Sequence, residues 1–201
     1  CQLVKLMRRG EQVNMSKRSG DFVSLLNVVN EVGKDVVRFI MLTRRNDAPL
    51  EFDFAVVTEE SRDNPVFYVQ YAHARCRSVL RNAAAEIPSL DLSGNALAAA
   101  DLSRLTHPDE IALIKSLAGW PRVVEAAAHS HEPHRIAFFL RELSAHFHTL
   151  WTRGKEDASL RFLLSDDKDL TTARLALVSG CALGIAVGLR IIGVTPVEEL
   201  R

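Results

Sequence analysis

The stretch Asn14-Met15-Ser16-Lys17-Arg18-Ser19-Gly20 sets two adjacent cations, two hydroxyls and a glycine on one short turn. Such groups gather around a polyphosphate, because lysine presents a mobile point charge and glycine lets the backbone approach closely. By residue type alone the same turn reads first as a solvated basic loop. A second chemistry lies in rings and guanidinium groups at helical spacing. Tyr71 and Arg75 are four apart, as are Phe147 and Trp151, so each pair shares a helix face. Rings and a guanidinium on one face offer flat, polarisable surface, but by residue type an aromatic pair such as Phe147 and Trp151 inside a bundle reads first as part of its core. Arg38, Arg44, Arg45, Arg77 and Arg81 are candidate phosphate contacts. Singly each is a solvated cation; as a group they would give RNA affinity a salt-dependent share.

Other constellations point to less. His129, His131 and His134 form an H-x-H-x-x-H cluster, with His146 and His148 further on. Imidazoles that close can bind a transition metal, but Pro133 sets the cluster in a surface turn, and no metal site is assigned. Cys1, Cys76 and Cys181 are far apart and odd in number, which supports neither a disulfide framework nor zinc spacing and fits a reducing compartment. No Ser/His/Asp set and no paired carboxylates at catalytic spacing stand out. Lys+Arg and Asp+Glu are both 25, so the chain is no general polycation, although local basic patches remain open to it. With 201 residues, 47% hydrophobic and 25% charged, it has the balance of a globular domain with a buried core rather than a disordered tail.

The elements that would position these groups are mostly helical. Residues 2–13 alternate weakly and predict a strand or hairpin leading into the basic turn. Leu25, Leu26, Val28, Val29 and Val32 predict an apolar helix face ended by Gly33, and Val36, Val37, Ile40 and Met41 a second one. Asn46-Asp47-Ala48-Pro49 breaks it, and LEFDFAVV follows as an extended or turn segment. Asn64-Pro65 is an N-cap with proline at the first helical position, opening a helix to about residue 86. Residues 87–107 read as an exposed excursion and 154–168 as a charged linker with one apolar patch, LRFLL. Pro108, Pro121 and Pro133 punctuate further helices, and a last one covers about 170–192 before Gly193.

Within that last helix LALVSGCALGIAVGL is apolar, but its 15 residues fall short of a bilayer's roughly 20, so a buried helix is expected. Gly180, Gly184 and Gly188 recur every four residues there and predict close approach of a neighbouring helix. The fold class expected is mainly α: a helical bundle over residues 61–201, preceded by a small α/β region over 1–60. The opening CQLVKL carries no charged leader with a long apolar run, and reads as the middle of a strand in a longer protein.

Met15-Ser16-Lys17 followed by Arg18-Ser19-Gly20 resembles the KMSKS-type signature loop of class I aminoacyl-tRNA synthetases, with Asn14 where the signature has its first lysine. The resemblance extends further. DVVRFIMLTRRNDAPLEFDF, NPVFYVQYAHARCRSVL, EPHRIAFFLRELSAHFHTLW and ARLALVSGCALGIAVGLRIIGVTPVEELR are similar, in that order, to the C-terminal part of bacterial arginyl-tRNA synthetases. Thr172-Ala173-Arg174-Leu175 is a loose match to the DALR signature that names the anticodon-binding domain of that family.

The family implies a division of labour. Ser16, Lys17 and Arg18 would lie on the ATP side, with Lys17 the catalytic residue that stabilises phosphate charge as arginine is adenylated. The bundle would bind the anticodon region of arginine tRNA through Tyr71, Arg75, Phe147, Trp151 and, in the tail, Leu200. The whole protein would be a monomeric, cytoplasmic arginine–tRNA ligase using ATP with Mg²⁺, L-arginine and arginine tRNA, without a membrane, and this chain alone would be inactive. Two other readings stand beside it: a stand-alone RNA-binding helical module, and a helical protein-interaction scaffold.

Overall fold

The computed structural model describes residues 3–13, 23–61 and 63–200. The chain begins with a hairpin, β1 (Val4–Arg8) antiparallel to β2 (Glu11–Gln12). Two short helices follow, α1 (Leu25–Val32) and α2 (Lys34–Met41), joined at Gly33, whose φ of +84° suits glycine. The segment expected to be extended or turned is split: β3 (Leu50–Asp53) pairs in parallel with β1, Leu6 opposite Phe52, and α3 (Phe54–Thr58) follows at once. Asp53 ties this region together. Its carboxylate accepts from the amides of Gly10 (2.7 Å), Arg9 (3.1 Å) and Ala55 (2.9 Å), fastening the hairpin turn to the start of α3. These bonds, Gly10's foremost, hold its carboxyl below the usual carboxylate range.

The bundle is formed by α4 (Pro65–Glu86), α6 (Pro108–His129), α7 (His134–Glu156) and α8 (Lys168–Ile191), with the short α5 (Gly94–Ala98) against α8. Asn64 caps α4 as expected, accepting from Val66 N–H at 3.1 Å while its amide donates to the Val57 and Glu59 carbonyls. The mainly helical class expected from sequence is the one found. α8 is long and apolar enough to cross a membrane by length and composition, but here Leu175, Val178, Cys181, Ile185 and Leu189 are buried in the bundle.

Four local expectations need correction. Apolar spacing puts Leu25 and Leu26 on the inward face of α1, yet they are 66% and 67% exposed, because Val28 and Val32, with Val29 partly buried beside them, are the residues of that helix that turn to the core. Pro121 does not end a helix. It sits inside α6 on the solvent side, where the carbonyl its ring deprives of a donor can be hydrated. Residues 87–107 are no free excursion: Leu97 and Leu105 are buried, and a 3₁₀ turn at Leu102–Arg104 lies between them. The 154–168 linker is likewise anchored, since Phe162 is buried and stacked on Phe147 at 5.9 Å.

The Gly180–Gly184–Gly188 row does admit close neighbours. A methyl group at Gly188 would stand 2.6 Å from Leu140 Cδ2 and 3.3 Å from Trp120, whereas one at Gly180 would meet only Leu117 Cδ1 at 3.6 Å. Alanine in a helix gains about 0.5–1 kcal/mol over glycine, while overpacking costs about 1–3 kcal/mol. Leu140 is fully buried with Trp120 beside the same spot, so the second effect wins at position 188. Urea unfolding should show Gly188→Ala less stable than the natural chain and Gly180→Ala equal to it or slightly more stable.

Arg174 of α8, 3% exposed, makes a 2.7 Å ion pair with Glu110 of α6, 1% exposed. Its guanidinium also donates at 2.7 Å to the Ser159 and Arg161 carbonyls. Glu110 in turn accepts from the His107 amide, closing the N-terminal capping box of α6. One side chain thus pins the last helix, the second bundle helix and the 154–168 segment to each other.

Candidate nucleic-acid interface

The face of α4 that carries Phe67, Tyr68, Tyr71 and Arg75 meets the face of α7 that carries His148, Trp151 and Thr152, and between them opens a cleft of about 940 Å³. Positions 68, 71 and 75 are spaced i, i+3, i+7 and positions 148, 151 and 152 of α7 are spaced i, i+3, i+4, so each set shares one helix face. Arg75 lies at the centre. Its guanidinium sits 3.9 Å from the Tyr71 ring centroid and 4.9 Å from that of Trp151, and its Nη2 donates to the Tyr71 hydroxyl at 2.6 Å. Phe67 stacks on Tyr71 at 5.6 Å, extending the row of flat surfaces. The Trp151 Nε1–H is buried and has no hydrogen-bond partner among the described residues.

Tyr71, Arg75 and Trp151, expected from sequence, are therefore brought together. Phe147 stands behind them, fully buried, with ring contacts to Trp151 at 6.2 Å and Phe162 at 5.9 Å. It backs the Trp151 ring and shows no face to solvent. Leu200 is exposed at 39% and lies outside the cleft lining. Ser16, Lys17 and Arg18, with the whole turn Asn14–Gly20, fall outside the described residues.

The tail that carries Leu200 is strapped along a second face of α4. Gln70 donates to the Thr195 carbonyl at 2.8 Å and accepts from the Val197 amide at 2.9 Å, and His73 Nδ1–H donates to the Val197 carbonyl at 2.8 Å. Arg77 pairs with Glu198 at 2.6 Å, and Arg81 reaches the Glu198 carbonyl and Glu199. At the root of the tail, Thr195 N–H donates to Asp35 and Arg38 Nε donates to the Ile192 carbonyl. Of the five arginines considered as phosphate contacts, Arg38, Arg77 and Arg81 thus hold the tail, Arg45 faces Asp47 and Glu132, and Arg44 is exposed.

Residue-type reasoning passed over Phe67, Tyr68 and His148 in the cleft and Gln70 and His73 under the tail. Helical spacing from Tyr71 and Trp151 reaches the first three. Gln70 and His73 carry no such signal, because the partner is a backbone 124 or more residues away. Among the described residues no group of three or more His, Cys, Asp or Glu side chains could hold a metal ion. His129 is exposed beside Glu125, while His134 is buried.

Comparison with known proteins gives the family and the fold. The DALR anticodon binding domain family matches residues 69–200. Arginine–tRNA ligases of Parvibaculum lavamentivorans and Rhodospirillum rubrum are 64% and 62% identical over 201 residues, 100% of this chain and 34% of each relative. The chain thus spans about a third of the length of these curated relatives. A Campylobacter jejuni structure named as an arginyl-tRNA synthetase superposes with TM-score 0.82 at 27% identity, covering 100% of this chain and 40% of that one. The Thermus thermophilus arginyl-tRNA synthetase shares the fold with TM-score 0.70 at 24% identity, over 97% of this chain and 34% of its own. The chain belongs to the DALR anticodon-binding domain family, and along its whole length it matches the C-terminal third of bacterial arginyl-tRNA synthetases.

Proposed function

We propose that this chain is the anticodon-reading end of an arginine–tRNA ligase, and that unstacked bases of the arginine tRNA anticodon loop enter the cleft between α4 and α7. The observation that carries the reading is the Arg75 guanidinium held over the Tyr71 ring and near Trp151 beside open space. Rings and a planar guanidinium offer a base the same stacking surface, and the guanidinium adds hydrogen-bond donors. The strapped tail keeps Leu200 near Arg81 and available to the same loop.

In this reading residues 61–201 form the anticodon-binding domain and 1–60 the end of the catalytic domain. The whole ligase joins L-arginine to its tRNA with ATP, giving AMP and pyrophosphate, Mg²⁺ riding on the nucleotide. Ser16, Lys17 and Arg18 are assigned to the ATP phosphates, and Lys17 to stabilising their charge. The enzyme acts as a monomer in the cytoplasm, and this chain alone shows no arginine-dependent ATP–pyrophosphate exchange.

A salt titration tests the RNA surface. The cleft is lined by Arg75, Arg141, Arg153 and Lys155 against Glu60, Glu142 and Glu156, so few cations are available to neutralise phosphates. Single-stranded contacts contribute a slope of about −0.7 per phosphate in log K against log salt. The expected slope for an anticodon stem-loop is therefore shallow, about −2. A slope steeper than about −5 would mean that binding rests on another, strongly basic surface.

A further inference from the structure

His148 occupies the floor of the cleft, its ring 4.6 Å from Tyr68 and 5.7 Å from Tyr71. Its Nδ1 lies 3.2 Å from Arg75 Nη1, and its Nε2 lies 3.3 Å from the Tyr68 carbonyl oxygen. A guanidinium only donates and a carbonyl only accepts. Both contacts are satisfied by a single state of the ring, the neutral imidazole with its proton on Nε2. Nδ1 then accepts from Arg75, and Nε2–H donates to Tyr68. An imidazolium has no lone pair for Arg75 and places a second positive charge beside it.

We propose that the neutral, Nε2-protonated imidazole of His148 is a positioning residue that holds the Arg75 guanidinium between Tyr71 and Trp151, and that its protonation releases single-stranded RNA from the cleft. The proposal rests on the assignment of that cleft to RNA. Among the described residues of α4, Tyr68, Tyr71 and Arg75 face His148. On α7 the cleft also carries Arg141, Glu142, Arg153, Lys155 and Glu156, and Glu60 stands at its mouth ahead of α4. Arg153 is shared with Asp109 and Glu156, whereas Arg75 shares its guanidinium between Tyr71 and His148. The sign of the effect is diagnostic. Acid adds positive charge to a protein and ordinarily strengthens its hold on phosphates. Release by acid requires a contact that protonation breaks.

The test is the affinity of this chain for a synthetic anticodon stem-loop of arginine tRNA from about pH 8 to about pH 5.5. The natural chain is expected to bind about tenfold more weakly at the acid end. His148→Phe keeps a ring and removes the acceptor; it is expected to bind about tenfold more weakly at pH 8 and to lose the acid response. His148→Gln offers an acceptor to Arg75 and a donor to Tyr68, so it should recover most of the affinity at pH 8 with a flat profile. Affinity that rises on acidification in the natural chain overturns the proposal, as does a His148→Phe chain that is folded by circular dichroism and binds like the natural one at pH 8. Trp151→Ala in the same assay separates the two levels. If it also binds undiminished, the cleft assignment itself fails; if it alone is weakened, only the role of His148 does.

Discussion

Arg174→Met is expected to destabilise the chain by about 3–5 kcal/mol, a large share of the ordinary reserve of about 5–15 kcal/mol for a domain. The substitution preserves length and apolar bulk, so the loss is not one of packing. It strands Glu110, 1% exposed, without the cation 2.7 Å away, and it leaves the Ser159 and Arg161 carbonyls without their donor. A buried charge deprived of its partner keeps its desolvation cost and loses the attraction that offset it. Combining Arg174→Met with Glu110→Gln should restore a large part of the stability. The stranded charge goes, while the side-chain carbonyl of the glutamine can still accept from the His107 amide. Urea unfolding of the two single variants and the double variant measures the coupling directly. A single variant within about 1 kcal/mol of the natural chain would show that the pair does not pin the bundle.

Trp151→Ala is expected to weaken binding of an arginine tRNA anticodon stem-loop by about 1–3 kcal/mol, roughly 5- to 150-fold, while the helix content stays that of the natural chain. Trp151 is only partly buried, and Phe147 and Phe162 remain stacked on each other behind it, so the bundle keeps its floor when the indole is removed. Stability falls too, by less than the roughly 3–5 kcal/mol of a fully buried tryptophan. Arg75→Lys separates stacking from charge. The ammonium keeps the positive charge but has neither the flat face that lies on Tyr71 nor the fork that reaches both Tyr71 and His148. A loss of about tenfold in the lysine variant identifies the plane as the important feature; undiminished binding would make Arg75 a simple counter-ion. Collapse of the fold in Trp151→Ala would instead return Trp151 to the core.

The long elements were legible because their signals are local. Asn64-Pro65 opens α4, and Tyr71, Arg75 and Trp151 lie four or three residues from their partners on a face, which backbone geometry turns into proximity. What escaped is non-local or sparse. The parallel pairing of β1 with β3 joins segments more than 40 residues apart, and nothing in the LEFD run says which strand it will meet. Leu97, Leu105 and Phe162 each anchor a polar stretch with one buried side chain, too few for any period to show. Pro121 carries a local penalty that suggests a helix end, yet a missing bond on the wet side of a 22-residue helix is outweighed by the packing of the opposite side. Arg174 stands in plain view within the DALR match, but its role depends on Glu110, 64 residues earlier, and on two carbonyls of a segment that looks like a linker.

His148 illustrates the same limit from the other side. Its place on the Trp151 face follows from spacing, whereas the pair of contacts that fixes its tautomer requires Arg75 and the Tyr68 carbonyl on a different helix.

The central claim, that this chain reads the anticodon of arginine tRNA, is tested most directly by measuring its affinity for arginine tRNA beside the same tRNA with the central anticodon base changed, at one fixed salt concentration. Stacking on Tyr71 and Trp151 tolerates any base, so discrimination falls to hydrogen bonds from the Arg75 guanidinium to the base edge, which predict tighter binding to the unaltered tRNA by about 1–3 kcal/mol for one base. Equal binding to both would contradict the claim and leave a surface that holds RNA without reading it.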